Sequence, residues 1–351
     1  MGNTETNTNK SFLQKNIKVG TDFSGIGAPE MALKYLGINH KSVFACEIDK
    51  YARQSFEQLH NPTTFYNDIT RRNHKEIDQL DLYIAGFPCQ AFSMAGNRKG
   101  FDEARGTLFF NVAEFIQINQ PKVFVLENVK GLLSHDKGRT FQTIVDILSN
   151  GGGTQNGQIS LDMFDDGLGY HIYWQVLNTK HYGIPQNRER IFIVGFKEFR
   201  KFSFPKKIPL SIKLKDILQN QVDNKYYLSD KKTKNLINQT FNKHKSDLVV
   251  HNLQQRSANR PAIKKNKNAG GSGHLSKSDG TTYCLDAPNL QAIEKQQKIR
   301  KFTPLETWRL QGFKDEDFYK VKDVSCTQLY KQSGNTITVN VLMHLFNKIY
   351  E

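Results

Sequence analysis

The sequence predicts an α/β protein: a doubly wound sheet with a smaller, loop-rich basic domain set into it. Three observations lead there. From Ile17 to about Phe196, short apolar runs alternate with helical patterns, as expected for strands joined by crossover helices. Near residue 206 the chain turns Lys- and Asn-rich and nearly loses its apolar runs. From Thr303 a helical texture returns.

Residues 1–16 read as a polar, disordered tail, without the basic and apolar blocks of a signal peptide. The runs IKVGTDF, SVFACEI, DLYIAGF and KVFVLEN are rich in Val, Ile and Phe and read as buried parallel strands. Amphipathic stretches at 29–36, 49–59 and 107–118 lie between them. Two more strand-like runs, HIYWQVLNT and RIFIVGF, follow a polar Gly-rich connector at 150–157. The expected division is an α/β domain over 17–205, a basic insert over 206–299, and a return to the first domain over 300–351.

Of the 351 residues 38% are hydrophobic, which suits a globular chain. No run approaches the roughly 18 apolar residues of a membrane span, so no membrane association is expected. The cysteines, at 46, 89, 284 and 326, form no C-x-x-C pair. Neither a metal site nor a disulfide framework is indicated, and a reducing cytoplasm is the expected compartment.

The net charge is +15. Residues 206–301 hold 20 Lys and Arg against 7 Asp and Glu, a surplus of 13. Such a concentrated cationic segment suits a polyanion, nucleic acid first, through phosphate contacts and counterion release. A solvated basic surface is the alternative.

Phe23-Ser24-Gly25-Ile26-Gly27 stands where the first strand turns into the first helix, a place for close ligand approach at a helix N-terminus. Glu47 ends the second strand 20 residues after Gly27, placed to accept hydrogen bonds from ribose hydroxyls. Position 30 is Glu, so the third glycine of the dinucleotide fingerprint is missing and NAD is the weaker choice. Asp68 could receive an adenine amino group, and Phe23, Ile48 and Ile69 could sandwich the ring. Each alone is equally a core residue; together they suggest an adenosine-containing cofactor.

Cys89 follows Pro88 in GFPCQ, just after the strand DLYIA, at the sheet edge where ligands collect. Glu127-Asn128-Val129 ends the following strand. A thiol and a carboxyl beside an adenosine cofactor suit methylation of cytosine carbon 5. A thiolate added at carbon 6 makes carbon 5 nucleophilic, provided N3 gains a proton or a strong hydrogen bond. A buried carboxyl group would serve that need.

GFPCQAFS, ENV and the run Gln186-Asn187-Arg188-Glu189-Arg190-Ile191-Phe192 resemble the signature blocks of the bacterial DNA (cytosine-5) methyltransferase family, of restriction–modification type. FSGIG and Gly334-Asn335-Thr336 resemble its cofactor blocks. The similarity spans about residues 17–196 and 300–351 in the family's order.

The resemblance implies a Rossmann-like sheet dependent on S-adenosylmethionine, and double-stranded DNA as substrate. Cys89 would be the nucleophile, Glu127 would hold N3 and the exocyclic amino group, and Arg190 would contact O2. Phe23, Ser24, Gly25, Ile26, Gly27, Glu47, Ile48, Asp68, Ile69, Pro88, Leu108, Asn335 and Thr336 would line the cofactor site. Residues 93–106 would form a loop closing over a flipped base. The basic insert would be a target-recognition domain. Ser93, Arg98, Lys99, Arg105, Arg188, Arg256 and Arg260 are the DNA-binding candidates, with Arg188 either structural or facing the DNA. The family writes Asp-x-Phe where Thr21-Asp22-Phe23 stands here, so Asp22 is left out of the cofactor set. A monomer is expected, alongside a separately encoded restriction endonuclease. A tRNA cytosine methyltransferase shares several of these blocks and is the alternative, as is a non-catalytic nucleic-acid-binding relic.

Overall fold

The computed structural model describes residues 16–88, 108–149, 167–240, 243–244, 246–254, 274–321 and 323–351. The chain divides into two units: one of residues 1–178, 189–207 and 336–351, the other of 179–188 and 208–335. The polar tail and the 150–157 connector lie outside the described residues, Asn16 apart.

The first unit is built on a seven-stranded sheet: β1 (Ile17–Asp22), β2 (His40–Cys46), β3 (Thr64–Tyr66), β4 (Leu82–Ala85), β5 (Val123–Val129), β6 (His171–Asn178) and β7 (Glu189–Phe196), in the order β3-β2-β1-β4-β5-β7-β6. The first five are parallel, and β7 runs antiparallel to both β5 and β6. The four apolar runs are thus parallel strands as expected, while the last two make the sheet mixed. β4 is buried at every position and β5 at all but its ends, because helices cover the sheet's faces.

Helices α1 (Ala28–Tyr35), α2 (Lys50–Leu59) and α3 (Leu108–Asn119) coincide with the three amphipathic stretches to within a residue or two. A further helix, α4 (Arg139–Leu148), follows β5. Phe44, Tyr83, Phe109, Phe115 and Phe124 anchor an aromatic-rich core between β2, β4, β5 and α3. Strand order reverses at β1, between β2 and β4. Ligands bind outside the carboxyl ends of strands at such a switch point.

The second unit differs from the loop-rich expectation. It holds α5 (Asp230–Thr240) and four strands, β8 (Leu248–Asn252), β9 (Leu275–Lys277), β10 (Gln291–Lys295) and β11 (Lys298–Lys301). These form an antiparallel sheet in the order β11-β10-β8-β9. Strands of three to five residues bearing Lys, Gln and Glu leave little apolar signal. Their inward residues, Val250 and Ile293, meet Phe302 and Leu310 in a separate core.

The expected return to the first domain at residue 300 is corrected to residue 336. The helices α6 (Pro304–Arg309) and α7 (Cys326–Asn335) pack on each other and belong to the second unit. Thr303 and Glu306 form a reciprocal capping box on α6. The Glu306 carboxylate also takes a bidentate pair from Arg300 on β11, at 2.7 and 2.8 Å. Helical periodicity shows that such a helix has an apolar face, but not which core receives it. The last helix, α8 (Val339–Tyr350), packs against α1 in the first unit.

Candidate active site

The turn after β1 is shaped by backbone geometry. Phe23 and Gly25 adopt positive φ, and Gly27 caps α1 at φ +76°. A Cβ at Gly27 would lie 2.3 Å from the His60 ring, so glycine is required there twice over. At Gly25 a Cβ would meet nothing within 4 Å, so the backbone borders open space. Glu47 ties this turn to the end of β2: one carboxylate oxygen accepts from Gly25 N at 2.9 Å, the other from Asp49 N at 2.8 Å. Each oxygen keeps a second lone pair for a ligand hydroxyl. Arg53 donates to the Glu47 and Ile48 carbonyls and steadies the same corner. Ile48 is 78% exposed and Phe23 half-buried, and both offer apolar surface beside Glu47.

Beneath the turn lies a buried network that the motif does not announce. Thr21 Oγ1 lies within hydrogen-bond distance of both Glu30 Oε1 and Ser24 Oγ, and Ser24 Oγ accepts from Cys46 N. Burial pushes the Glu30 carboxyl up from its ordinary 4.5 to about 7. Folded protein thus keeps a proton that the unfolded chain releases between these values. Stability falls as pH rises through that window, by about 3 kcal/mol in total. Urea unfolding at pH 5 and pH 7.5 should show Glu30→Gln lacking this component. An unchanged pH slope in the variant would show that Glu30 does not carry it.

The other expected cofactor residues differ in burial and in the bonds they already make. The side chains of Ile26 and Ile69 are buried, 0% and 6% exposed, and Ile69 belongs to the aromatic-rich core, so Ile69 is not free to sandwich a ring. Asp68 spends one oxygen on Thr70 N and Thr70 Oγ1, and these bonds hold its carboxyl below the usual range. Its other oxygen lies 3.5 Å from Arg71 Nε. Leu108, the first residue of α3, and Pro88 are half-buried. Asn335, exposed, ends α7, and Thr336 is buried; the two units divide between them. Asp22 is in the core, ion-paired with a fully buried Arg72 and accepting from the Tyr83 hydroxyl. Arg72 in turn lies over the rings of Phe44 and Phe115.

At the carboxyl ends of β4 and β5 the chemistry changes from cradle to charge. Glu127 lies on β5, paired across the ladder with Phe192, and Arg190 of β7 faces Val129. Arg190 Nε lies 3.1 Å from Glu127 Oε1, with the two side chains 19% and 11% exposed. The other Glu127 oxygen stands 3.7 Å from where a Cβ would sit on Gly86. Asn128, 3% exposed, donates from Nδ2 to the Phe87 carbonyl at 2.9 Å. This bond fixes the Gly86-Phe87-Pro88 turn that leads into Cys89. Sequence reading assigned Asn128 no role, although it stands inside the ENV block. Cys89 itself, with Ser93, Arg98, Lys99, Arg105, Arg256 and Arg260, lies outside the described residues.

Arg188 corrects a DNA-binding expectation. It is 3% exposed, and Nη1 donates to the carbonyls of Gly334 and Leu285 at 3.2 and 3.4 Å. A guanidinium so enclosed fastens the second unit internally and does not meet phosphate. Gln186 does similar work, donating to Leu310 O and accepting from Leu285 N.

A family model described as C-5 cytosine-specific DNA methylase matches residues 18–351. The chain belongs to this family. It is therefore a methyltransferase of the DNA (cytosine-5-) class. Among similar proteins, the Type II methyltransferase M.HpaII of Haemophilus parainfluenzae is 37% identical, over 94% of this chain and 88% of that protein. M.SsoII of Shigella sonnei is 35% identical, over 93% and 78%. The orphan methyltransferase M.SPRI of Bacillus phage SPR is 32% identical, over 95% and 97%. The crystal structure of S. pombe Dnmt2 methyltransferase matches with a TM-score of 0.64 at 16% identity, over 95% of this chain and 97% of that one. That likeness supports the fold over the share of the chain it covers. Among the described residues, no helix is long and apolar enough to cross a membrane.

Proposed function

We propose that this methyltransferase moves a methyl group from S-adenosylmethionine to carbon 5 of a cytosine flipped out of duplex DNA, through a covalent bond between Cys89 and carbon 6. The observation that carries the reading is the Glu127–Arg190 pair at the carboxyl end of β5, with Glu127 reaching over Gly86, three residues before Cys89.

The Cys89 thiolate adds to carbon 6 while Glu127 holds N3 and the exocyclic amino group, so that electron density moves to carbon 5. Arg190 hydrogen-bonds O2 and draws off the charge that builds on the ring. S-adenosylmethionine supplies an electrophilic methyl on a sulfonium. Once carbon 5 carries the methyl, its proton leaves, the carbon 6–sulfur bond breaks and Cys89 departs as thiolate. Flipping is required because carbon 6 is shielded within a stacked duplex.

The turn after β1 fits the cofactor. Gly25 borders open space, Glu47 offers lone pairs to ribose hydroxyls, and Phe23 and Ile48 supply apolar surface. The second unit, with its positive surplus, reads the target sequence. The Type II names of several relatives support a role in protecting DNA from a separately encoded endonuclease. Two phage relatives are named orphan methyltransferases, without the Type II designation.

Labelled methyl transfer is measured in parallel on duplex DNA and on tRNA, with duplex alone expected to accept. Acceptance by tRNA alone would overturn the substrate assignment. On duplex DNA carrying 5-fluorocytosine at the target, the enzyme should stay covalently attached, since fluorine cannot leave as a proton does. Free enzyme after incubation with cofactor would count against the adduct.

A further inference from the structure

The antiparallel sheet of the second unit contains a chain of three titratable side chains that the catalytic scheme does not use. His251 on β8 is fully buried, and Nε2 lies 2.8 Å from Oε2 of Glu294 on β10. On the other edge of the ring, Nδ1 lies 2.8 Å from Nε2 of His274, the residue before β9. The two imidazoles stack with centroids 5.1 Å apart. His244 is not part of the chain, since both its nitrogens are engaged by the hydroxyls of Ser276 and Ser278.

Proton counting fixes the polarity. A carboxylate only accepts, so His251 Nε2 carries the hydrogen. A neutral imidazole has one N–H, which leaves His251 Nδ1 as an acceptor. His274 Nε2 must then be the donor, and its Nδ1 is a bare lone pair. Both rings are held neutral: burial lowers His251, and burial, His251 and Lys243 together lower His274 to about 4. His274 is half-exposed, and its Nδ1 has no hydrogen-bond partner among the described residues. A sheet edge therefore presents an acceptor whose sense the partly buried Glu294 carboxylate dictates through His251, with Lys277 three residues along the chain and Lys243 acting on the ring through its charge.

We propose that Glu294 and His251 are positioning residues that set His274 Nδ1 as a fixed acceptor, and that His274 reads an exocyclic amino group of a base in the recognition sequence. Adenine N6 and cytosine N4 display such a group in the major groove, whereas guanine O6 and thymine O4 are acceptors that would face the lone pair unpaired. The proposal rests on the second unit reading DNA.

The test begins with the methylation profile of the wild type, obtained by bisulfite sequencing of randomised duplex DNA. His274→Ala should lose about tenfold discrimination at one position, with the other positions and the melting temperature retained. Glu294→Gln leaves His274 in place but lets His251 take either tautomer, so the same position should relax. A merely structural pair would lower stability and leave the profile alone. In the wild type, nitrogen-15 NMR should show His274 with Nδ1 bare and Nε2 protonated. An active enzyme whose profile ignores both variants, or a protonated Nδ1, overturns the proposal. A wild type that methylates no duplex DNA would instead remove the reading beneath it.

Discussion

Cys89→Ser is expected to abolish methyl transfer, by at least about four orders of magnitude, while DNA binding survives. A thiol has a few per cent of thiolate at neutral pH and is intrinsically nucleophilic; a serine hydroxyl has neither advantage unless a base activates it. Removal of a covalent nucleophile costs this much in enzymes whose groups act as a unit. The turn that presents position 89 should persist, since the bond from Asn128 to the Phe87 carbonyl does not involve the sulfur. Single-turnover assays with labelled S-adenosylmethionine measure the loss, and gel shift on target duplex measures binding. Residual transfer within a hundredfold of wild type would mean that the step runs without a covalent thiolate.

Glu127→Gln should lower kcat by about 10² to 10⁴, the range of a positioned acid–base group. Gln keeps the length and one hydrogen bond but presents an NH₂ where the reaction needs a carboxyl. It also leaves Arg190 without the carboxylate 3.1 Å away, in a site where both side chains are mostly shielded from water. A lost partner in a shielded pair costs stability as well as rate. Thermal melting should accompany the kinetics, and cofactor affinity, set at the turn after β1, should hold. Equal loss of cofactor binding and rate would show that Glu127 supports the fold of the site rather than the chemistry.

Reading of the sheet from sequence worked where burial is two-sided. IKVGTDF and KVFVLEN are rich in Val, Ile, Leu and Phe and buried along most of their length, because helices cover both faces of the sheet. It failed for β8 to β11, which are only three to five residues long and bury polar side chains such as His251 and Gln291 beside the few apolar ones. In the site, Glu127 and Arg190 were recognisable in their blocks, and so was the Gly25–Glu47 corner. For Ile26 and Ile69 the sequence could not say that the side chains would be buried, because a hydrophobic side chain beside a turn packs inward or lines a ligand equally well. Arg188 stayed open between a structural and a DNA-facing role for a related reason: a guanidinium two residues from Arg190 has the same local sequence whether it meets phosphate or main-chain carbonyls.

By itself the sequence determined the α/β class, the order of strands and crossover helices, and the residues that make cytosine methylation the expected chemistry. Those depend on local periodicity and on side-chain type, which are properties of the chain. Only the tertiary structure decided that α6 and α7 stay with the second unit, that Asn128 braces the turn before Cys89, that Asp22 is spent on Arg72 in the core, and that Glu294 governs His274 through His251. Each of these is a contact between residues at least 20 positions apart. Such contacts arise from which faces the folded chain buries together, and no local pattern encodes that.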